Sequence, residues 1–359
     1  MDKKDKEILI TIDKMQLFSP STFLKLLEYF KSVRNIWNAP KQTLRQCGLI
    51  KEKEINIYFD QKKIIEPFGI VKTLSEKNIN AVSLFDADYP EKLKNISDPP
   101  IVLYIRGALN FEPKIPAIGI VGSRKATLDG RIITKEIAAT LARTGMVIVS
   151  GLAEGIDSEA HRGCLEARGK TIAVLGTPID RIYPAHNLAL ASKILTTGGT
   201  IVSEYPPGIR TQRYHFVGRN RIIAALSDGV LLVEAAEKSG ALITADFALD
   251  FGKDVYSVPG SPLSLNSKGT NNLIKMGAKP VTRAEDILED YILPTNQTSK
   301  EQDLSDEERE LLSALITPLG IEKLAMQLNQ PISKISVLIS CMELRGQIKN
   351  INGVIYPSK

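Results

Sequence analysis

A glycine, a serine and an arginine in succession, Gly122-Ser123-Arg124, follow the apolar run Ala117–Val121. At the end of a buried strand such a triplet suits a phosphate. Glycine lets another backbone come close, serine offers a hydroxyl, and the planar guanidinium of Arg124 matches phosphate oxygens bidentately. A second basic group runs Arg210-Thr-Gln-Arg213-Tyr-His-Phe-Val-Gly-Arg219-Asn220-Arg221, four arginines and a histidine beside two aromatics, at the entrance to a predicted helix. Arginine forks clamp phosphates, Asn220 can bond a base or sugar edge, and aromatic and guanidinium planes offer stacking to unpaired bases. The structural alternative for Arg219 and Arg221 is an ion-pair network onto the acidic turns near Glu154, Asp157 and Glu204.

Other chemistries lack their residues. The three histidines (His161, His186, His215) and three cysteines (Cys47, Cys164, Cys341) are scattered, with neither metal-ligand spacing nor a disulfide framework. No metal and no cofactor is expected. Gly119-x-x-Gly122 is not the dinucleotide fingerprint, and the next turn, Ser150-Gly-Leu-Ala-Glu-Gly-Ile-Asp157, sets Glu154 and Asp157 where a pyrophosphate would be repelled. No G-x-x-x-x-G-K-[ST] loop occurs. No histidine or lysine is nominated as a base beside Ser123, Ser150 or Cys164, so no catalytic residue is assigned, and His161 reads as a structural histidine.

These residues need elements to hold them. Short β-branched runs alternate with helical segments from Ala117 onward: Ala117–Val121, Met146–Val149, Thr171–Leu175, Thr200–Ser203, Val230–Val233 and Val255–Val258, separated by helices near Leu128–Thr144, Ile156–Ala167, Leu188–Leu195, Arg219–Leu226 and Ala241–Phe251. That pattern predicts an α/β fold with a doubly wound, mainly parallel sheet, whose ligands bind beyond the carboxyl ends of the strands. Two further runs, Ala81–Phe85 and Ile101–Ile105, join the sheet. Residues 1–78 read as a small helical domain in which Ser21 and Thr22 can cap the helix through Phe23–Phe30. Residues 79–294 form the large domain and 295–305 an acidic linker. Residues 306–359 give three helices and a hairpin turned by Asn352-Gly353, a winged-helix pattern.

The net charge of +5 comes wholly from the first 63 residues, with 13 Lys and Arg against 8 Asp and Glu. Anion binding in the large domain must therefore arise from clustering within the fold. The third C-terminal helix exposes Ser333, Lys334, Ser336, Ser340 and Glu343, with Arg345 at its end, weak electrostatics for a duplex. No apolar leader stands at Met1–Glu7 and no stretch approaches a membrane span, so a cytoplasmic location is expected.

The motifs Val121-Gly-Ser-Arg124, Ser150–Asp157, Tyr183-Pro184…Asn187, Ser203-Glu-Tyr-Pro-Pro207, Arg219-Asn-Arg-Ile-Ile-Ala-Ala-Leu-Ser227, Ser239-Gly-Ala-Leu-Ile-Thr-Ala245 and Val258-Pro-Gly260 resemble, in order, those of the DNA-processing protein A (Smf) family. The resemblance implies an extended Rossmann-like domain, with an N-terminal SAM or helix-hairpin-helix-like domain and a terminal winged helix. It implies a non-enzymatic homodimer that binds single-stranded DNA, displaces single-strand-binding protein and loads RecA recombinase during natural transformation. Carried over by position, Gly122, Ser123 and Arg124 would line a phosphate pocket, Arg219, Asn220 and Arg221 would face the strand from the neighbouring helix, and Lys193 would add a basic position. Where many relatives have lysine after Tyr-Pro, this chain has Ala185. The rival is a nucleotide-binding enzyme or sensor of the phosphoribohydrolase type; its Pro-Gly-Gly-x-Gly-Thr-x-x-Glu signature is absent from Ala235–Thr244.

Overall fold

The computed structural model describes residues 1–65, 67, 69–108, 115–291, 305–315, 318–344, 348–351 and 353–357. They fall into two compact units, Met1–Leu293 and Pro294–Lys359.

In the first unit six helices come first: α1 (Lys3–Lys14), α2 (Pro20–Phe30), α3 (Val33–Asn38), α4 (Lys41–Gln46), α5 (Glu52–Lys62) and α6 (Ile70–Glu76). Ser19 caps α2, its hydroxyl accepting from Thr22 N–H at 3.1 Å, because Pro20 already occupies the first helical position. Ser21 and Thr22, expected as caps, therefore stand inside the first turn.

Among the described residues nine strands follow: β1 (Asn80–Ser83), β2 (Val102–Arg106), β3 (Ala117–Val121), β4 (Val147–Ser150), β5 (Thr171–Leu175), β6 (Thr200–Ser203), β7 (Gly229–Leu232), β8 (Asp254–Ser257) and β9 (Lys279–Pro280). They pair in the order β1-β2-β6-β5-β4-β3-β7-β8-β9. The pairs β1–β2 and β2–β6 are antiparallel, and β3 to β9 run parallel. Between them lie α7 (Glu91–Lys94), α8 (Leu128–Arg143), α9 (Ile156–Glu166), α10 (Leu188–Thr196), α11 (Arg213–Leu226), α12 (Leu242–Asp250) and α13 (Lys268–Lys275), and α14 (Glu285–Leu288) follows β9.

Alternation along β3 decides which helix covers which face. Ile118 and Ile120 pack with Ile137 and Leu141 of α8 and Ala160 and Cys164 of α9. Ala117 and Val121 share the opposite core with Ile222, Ile223 and Leu226 of α11 and Ala245 and Ala248 of α12. The α8–α9 contact is close enough that a Cβ on Gly163 would lie 2.3 Å from Lys135 O. The mixed α/β sheet with its long parallel portion agrees with the sequence pattern.

A third core joins the N-terminal helices to the sheet: Leu9, Ile10, Leu26 and Tyr58 belong with Tyr104, Leu175, Ile194 and Ile201. The boundary expected at 78/79 thus lies within one packed body. Tyr104 adds a polar tie, its hydroxyl donating to Asp13 Oδ2 at 2.7 Å.

The second unit holds α15 (Asp306–Ala314), α16 (Ile321–Gln327) and α17 (Ile332–Leu344). A small antiparallel sheet accompanies them: β10 (Leu319–Gly320), β11 (Ile348–Ile351) and β12 (Val354–Pro357). Leu311, Leu324, Ile335, Ile339, Met342, Ile348 and Ile355 form its core. The two-residue β10, which pairs with β12, was not expected; it is too short to carry a period. Gly353 has φ 81°, the left-handed conformation that the expected hairpin turn requires. Asn352, Arg345 and all of the expected 295–305 linker except Ser305 lie outside the described residues.

Candidate functional site

The sheet reverses its winding between β3 and β7: strands after β3 are laid down on one side, and strands after β7 on the other. The crevice beyond the carboxyl ends of these two neighbours is where such a sheet leaves room for a ligand. A cavity of 290 Å³ lies there, lined by Gly122, Ser123, Arg124, Phe216, Arg219 and Asn220 among others. Five of the seven site residues expected from sequence therefore meet in one place.

Tight backbone packing sets the first corner. A Cβ on Gly122 would stand 2.7 Å from Ile156 Cγ1 and 2.9 Å from Glu234 O. The glycine is thus required by internal packing, not by the approach of a ligand as its position suggested. Ser123 N–H donates to Glu234 O at 2.7 Å, and Ile156 N–H donates to Ser123 O at 3.2 Å. The Ser123 hydroxyl oxygen accepts from Lys125 N–H at 3.1 Å. With the loop pinned from both sides, the Arg124 side chain projects outward. Its guanidinium lies 5.7 Å from the centroid of the Phe216 ring and has no ion-pair partner among the described residues.

Phe216 is seated by the absence of a side chain beneath it, since a Cβ on Gly176 would meet its ring at 2.7 Å. Tyr183 stands beside it, ring centroids 5.7 Å apart, and Tyr183 and Tyr214 are both exposed. A guanidinium and aromatic faces at the mouth of a crevice form a stacking surface.

Arg219 and Asn220 are braces rather than free ends. Arg219 is buried, and its Nη1 donates to Gly151 O and Val174 O, each at 2.6 Å, tying together the carboxyl ends of β4 and β5. Its Nε donates to Asn220 Oδ1 at 3.1 Å, and Asn220 Nδ2 donates to Gly240 O at 3.2 Å. Burial lowers the Arg219 pKa, opposed by the nearby Asp157. Burial likewise raises that of Asp157, opposed by Arg219, while its carboxylate accepts from Gly151 N–H at 3.1 Å.

Two expected residues are placed elsewhere. Arg221 turns from the crevice into a buried ion pair, with Nη2 2.5 Å from Glu204 Oε1 and Nε 3.6 Å from Asp98 Oδ2. The physical reason is the helix start: α11 begins at Arg213, not Arg219, so residues 219–221 sit in the helix interior, after its first two turns, against the sheet. Lys193 is exposed on α10 and does not line the cavity. At the corner holding Ala185, His186 Nε2 lies 3.4 Å from Glu154 Oε1.

Sequence reasoning missed Gly176 and Thr244 as parts of the site. Thr244 could have been found only as the end of Ser239–Ala245. His161 is the structural histidine expected: wholly buried, held 2.7 Å from Thr171 Oγ1 and pushed down to about 3 by burial. A larger cavity, 1080 Å³, opens at the amino ends of the parallel strands beside Gly107 and Leu226, but its charges are of mixed sign and its Lys92 is paired with Asp228 at 2.6 Å. Among the described residues no cluster of three or more His, Cys, Asp or Glu could hold a metal ion, and no helix is long and apolar enough to cross a membrane.

Known proteins resemble this chain in sequence and fold. The sequence model for the family described as DNA recombination-mediator protein A matches residues 80–292. DNA processing protein DprA of Bacillus subtilis is 42% identical over 288 residues, covering 79% of this chain and 94% of that protein. Protein Smf of Synechocystis is 39% identical over 296 residues, 81% of this chain and 74% of that protein. The X-ray structure of DNA processing protein A from Streptococcus pneumoniae superposes with a TM-score of 0.67 at 34% identity, covering 79% of this chain and 97% of that one. The Helicobacter pylori protein, whose structure is described for its single-stranded DNA binding mode, gives a TM-score of 0.54 at 30% identity, covering 60% and 97%. With a family match over most of its large unit and relatives of this identity and coverage, the chain belongs to the DNA recombination-mediator protein A family.

Proposed function

We propose that this chain binds single-stranded DNA in the switch-point crevice, with Arg124 as the principal phosphate contact and Ser123 beside it. One observation carries the reading: Arg124 has no ion-pair partner among the described residues and stands over Phe216, beside a crevice floor made rigid by Arg219 and Asn220. An exposed guanidinium over an aromatic ring, near Asp157 but bonded to no carboxylate among the described residues, suits a strand whose bases are unpaired and whose phosphates are charged. The carboxylate of Asp157 accepts from Gly151 N–H beside the Arg219 guanidinium, a bracing role in the crevice floor.

On this reading the protein works as a recombination mediator in the cytoplasm: it protects incoming single strands, displaces single-strand-binding protein and loads RecA during natural transformation, as a homodimer and without a cofactor. The family relationship supports that sequence of roles. The N-terminal helices are read as the SAM-like domain. The second unit is read as a winged helix with a role in protein interaction, since Lys334 on α17 is paired with Glu307 and adds little free positive charge.

The test is a titration of the chain against single-stranded and duplex oligonucleotides of equal length at two salt concentrations. The expected result is tighter, salt-sensitive binding to the single strand. Equal affinity for both forms, or saturable binding of a mononucleotide alone, would overturn the reading in favour of a nucleotide sensor.

A further inference from the structure

Thr244 is 1% exposed and lines the crevice, yet its hydroxyl has no hydrogen-bond partner among the described residues. A threonine within a helix ordinarily settles its hydroxyl on the carbonyl one turn back. Thr134 does so on Gly130 O at 2.5 Å, and Thr11 on Glu7 O at 2.8 Å. For Thr244 the equivalent carbonyl is Gly240 O, which accepts instead from Asn220 Nδ2. The Asn220 brace therefore accompanies a hydroxyl left unpaired at the crevice wall.

That wall is the start of α12. Its N-cap, Ala241, makes no side-chain cap, and the Ser239 hydroxyl oxygen accepts from Ala241 N–H at 3.3 Å. Leu242 N–H and Thr244 N–H are bonded to Ser239 O and Ala241 O. The helix end thus presents the positive end of its dipole and one unpartnered hydroxyl, not a ring of open amides. Open space surrounds the position where a Cβ on Gly240 would stand, so the chain just ahead of this helix end borders the crevice opening while the hydroxyl itself is nearly enclosed. The charged side chains lining the same cavity are Arg124, Arg219 and Asp157, the last already engaged by Gly151 N–H.

We propose that the start of α12 is a second, uncharged phosphate seat, in which Thr244 Oγ1–H donates to a non-bridging oxygen of a strand held elsewhere by Arg124. The proposal rests on the single-stranded DNA reading above. Its signature differs from that of a cationic contact. A neutral donor strengthens binding by the same factor at every salt concentration, whereas an arginine contributes to the salt slope through counterion release.

The experiment compares Thr244→Val, Thr244→Ser and Arg124→Ala in the full chain, using an unstructured oligonucleotide at two salt concentrations and a thermal melt. Thr244→Val is expected to weaken binding by roughly 3–10-fold at both salts with the slope unchanged, as for loss of one hydrogen bond. Thr244→Ser is expected to bind as the parent chain does. Because valine replaces an unpartnered buried hydroxyl at nearly equal volume, its melting temperature should rise by about 1–3 °C. A raised melting temperature with unchanged affinity, a flattened slope, or a weakened Thr244→Ser would each overturn the seat. So would a lowered melting temperature for Thr244→Val, which would show the hydroxyl to be bonded within the folded chain. If Arg124→Ala also binds normally, the reading of the crevice itself fails; normal dependence on Arg124 with an indifferent Thr244→Val removes the seat alone.

Discussion

Arg124→Ala is expected to lower affinity for single-stranded DNA of unrelated sequences by about tenfold or more. A charge-assisted contact to phosphate contributes roughly 1.5–3 kcal/mol, and 1.4 kcal/mol is a factor of ten. The plot of log affinity against log salt should flatten by roughly 0.7 for each phosphate no longer neutralised. Fold stability should be unaffected, because the side chain is exposed and makes no ion pair among the described residues. Thermal melting checks the second statement and a two-salt titration the first. An unchanged affinity and slope would remove Arg124 from the interface, and with it the main support for strand binding in this crevice.

Glu204→Ala should have the larger effect on stability. The Arg221 side chain is 8% exposed and that of Glu204 13%, so removing the carboxylate leaves a buried guanidinium with the Gly218 carbonyl and, as its remaining counter-charge, the half-exposed Asp98. Burial raises the Glu204 pKa and Arg221 pulls it back, the arrangement of a charge that depends on its partner. Breaking such a pair on one side costs about 3–5 kcal/mol. A loss near 3 kcal/mol would lower the melting temperature by roughly 6 °C or more. Replacing both partners, Glu204→Leu with Arg221→Met, should recover most of that loss, since a buried ion pair exchanged for packed apolar side chains is often close to neutral. The double variant also separates two roles for Arg221. Retained strand affinity fits the buried pair seen here; a clear loss would return Arg221 to the strand-binding surface. Retained stability in the single variant would show that the pair is not desolvated.

Much of this fold could be read from residue order. The strands at Ala117–Val121, Thr171–Leu175 and Thr200–Ser203 coincide residue for residue with the apolar runs, because parallel strands covered on both faces need uninterrupted β-branched and aliphatic side chains. Helix α11 began six residues earlier than its apolar pattern. Its first two turns, Arg213 to Gly218, mix charge, aromatics and glycine, and only tertiary packing, with His215 stacked 3.9 Å from Tyr205, holds them. Helix α13 was not anticipated, for Lys268-Gly-Thr-Asn-Asn lacks both propensity and period. The site was legible in its residue types and less so in their duties. An arginine in sequence signals exposure and a ligand. Only the folded sheet shows that Arg219 reaches two strand-end carbonyls, 68 and 45 residues away, and that Arg221 finds Glu204, 17 residues away, separations that no spacing rule connects.

The Arg219 guanidinium has a consequence for how this sequence can vary. A Cβ on Gly151 would fall 2.0 Å from Arg219 Nη1 and 2.4 Å from Cζ, so no side chain at 151 coexists with this arginine in this pose. Positions 151 and 219 lie far apart in the chain yet are sterically coupled. A lineage that gains a side chain at 151 must first have released the arginine, and one that has released it leaves two strand-end carbonyls to find new donors. A side chain at 151 therefore requires the Arg219 guanidinium to move, and a change at 219 removes the donor shared by Gly151 O and Val174 O.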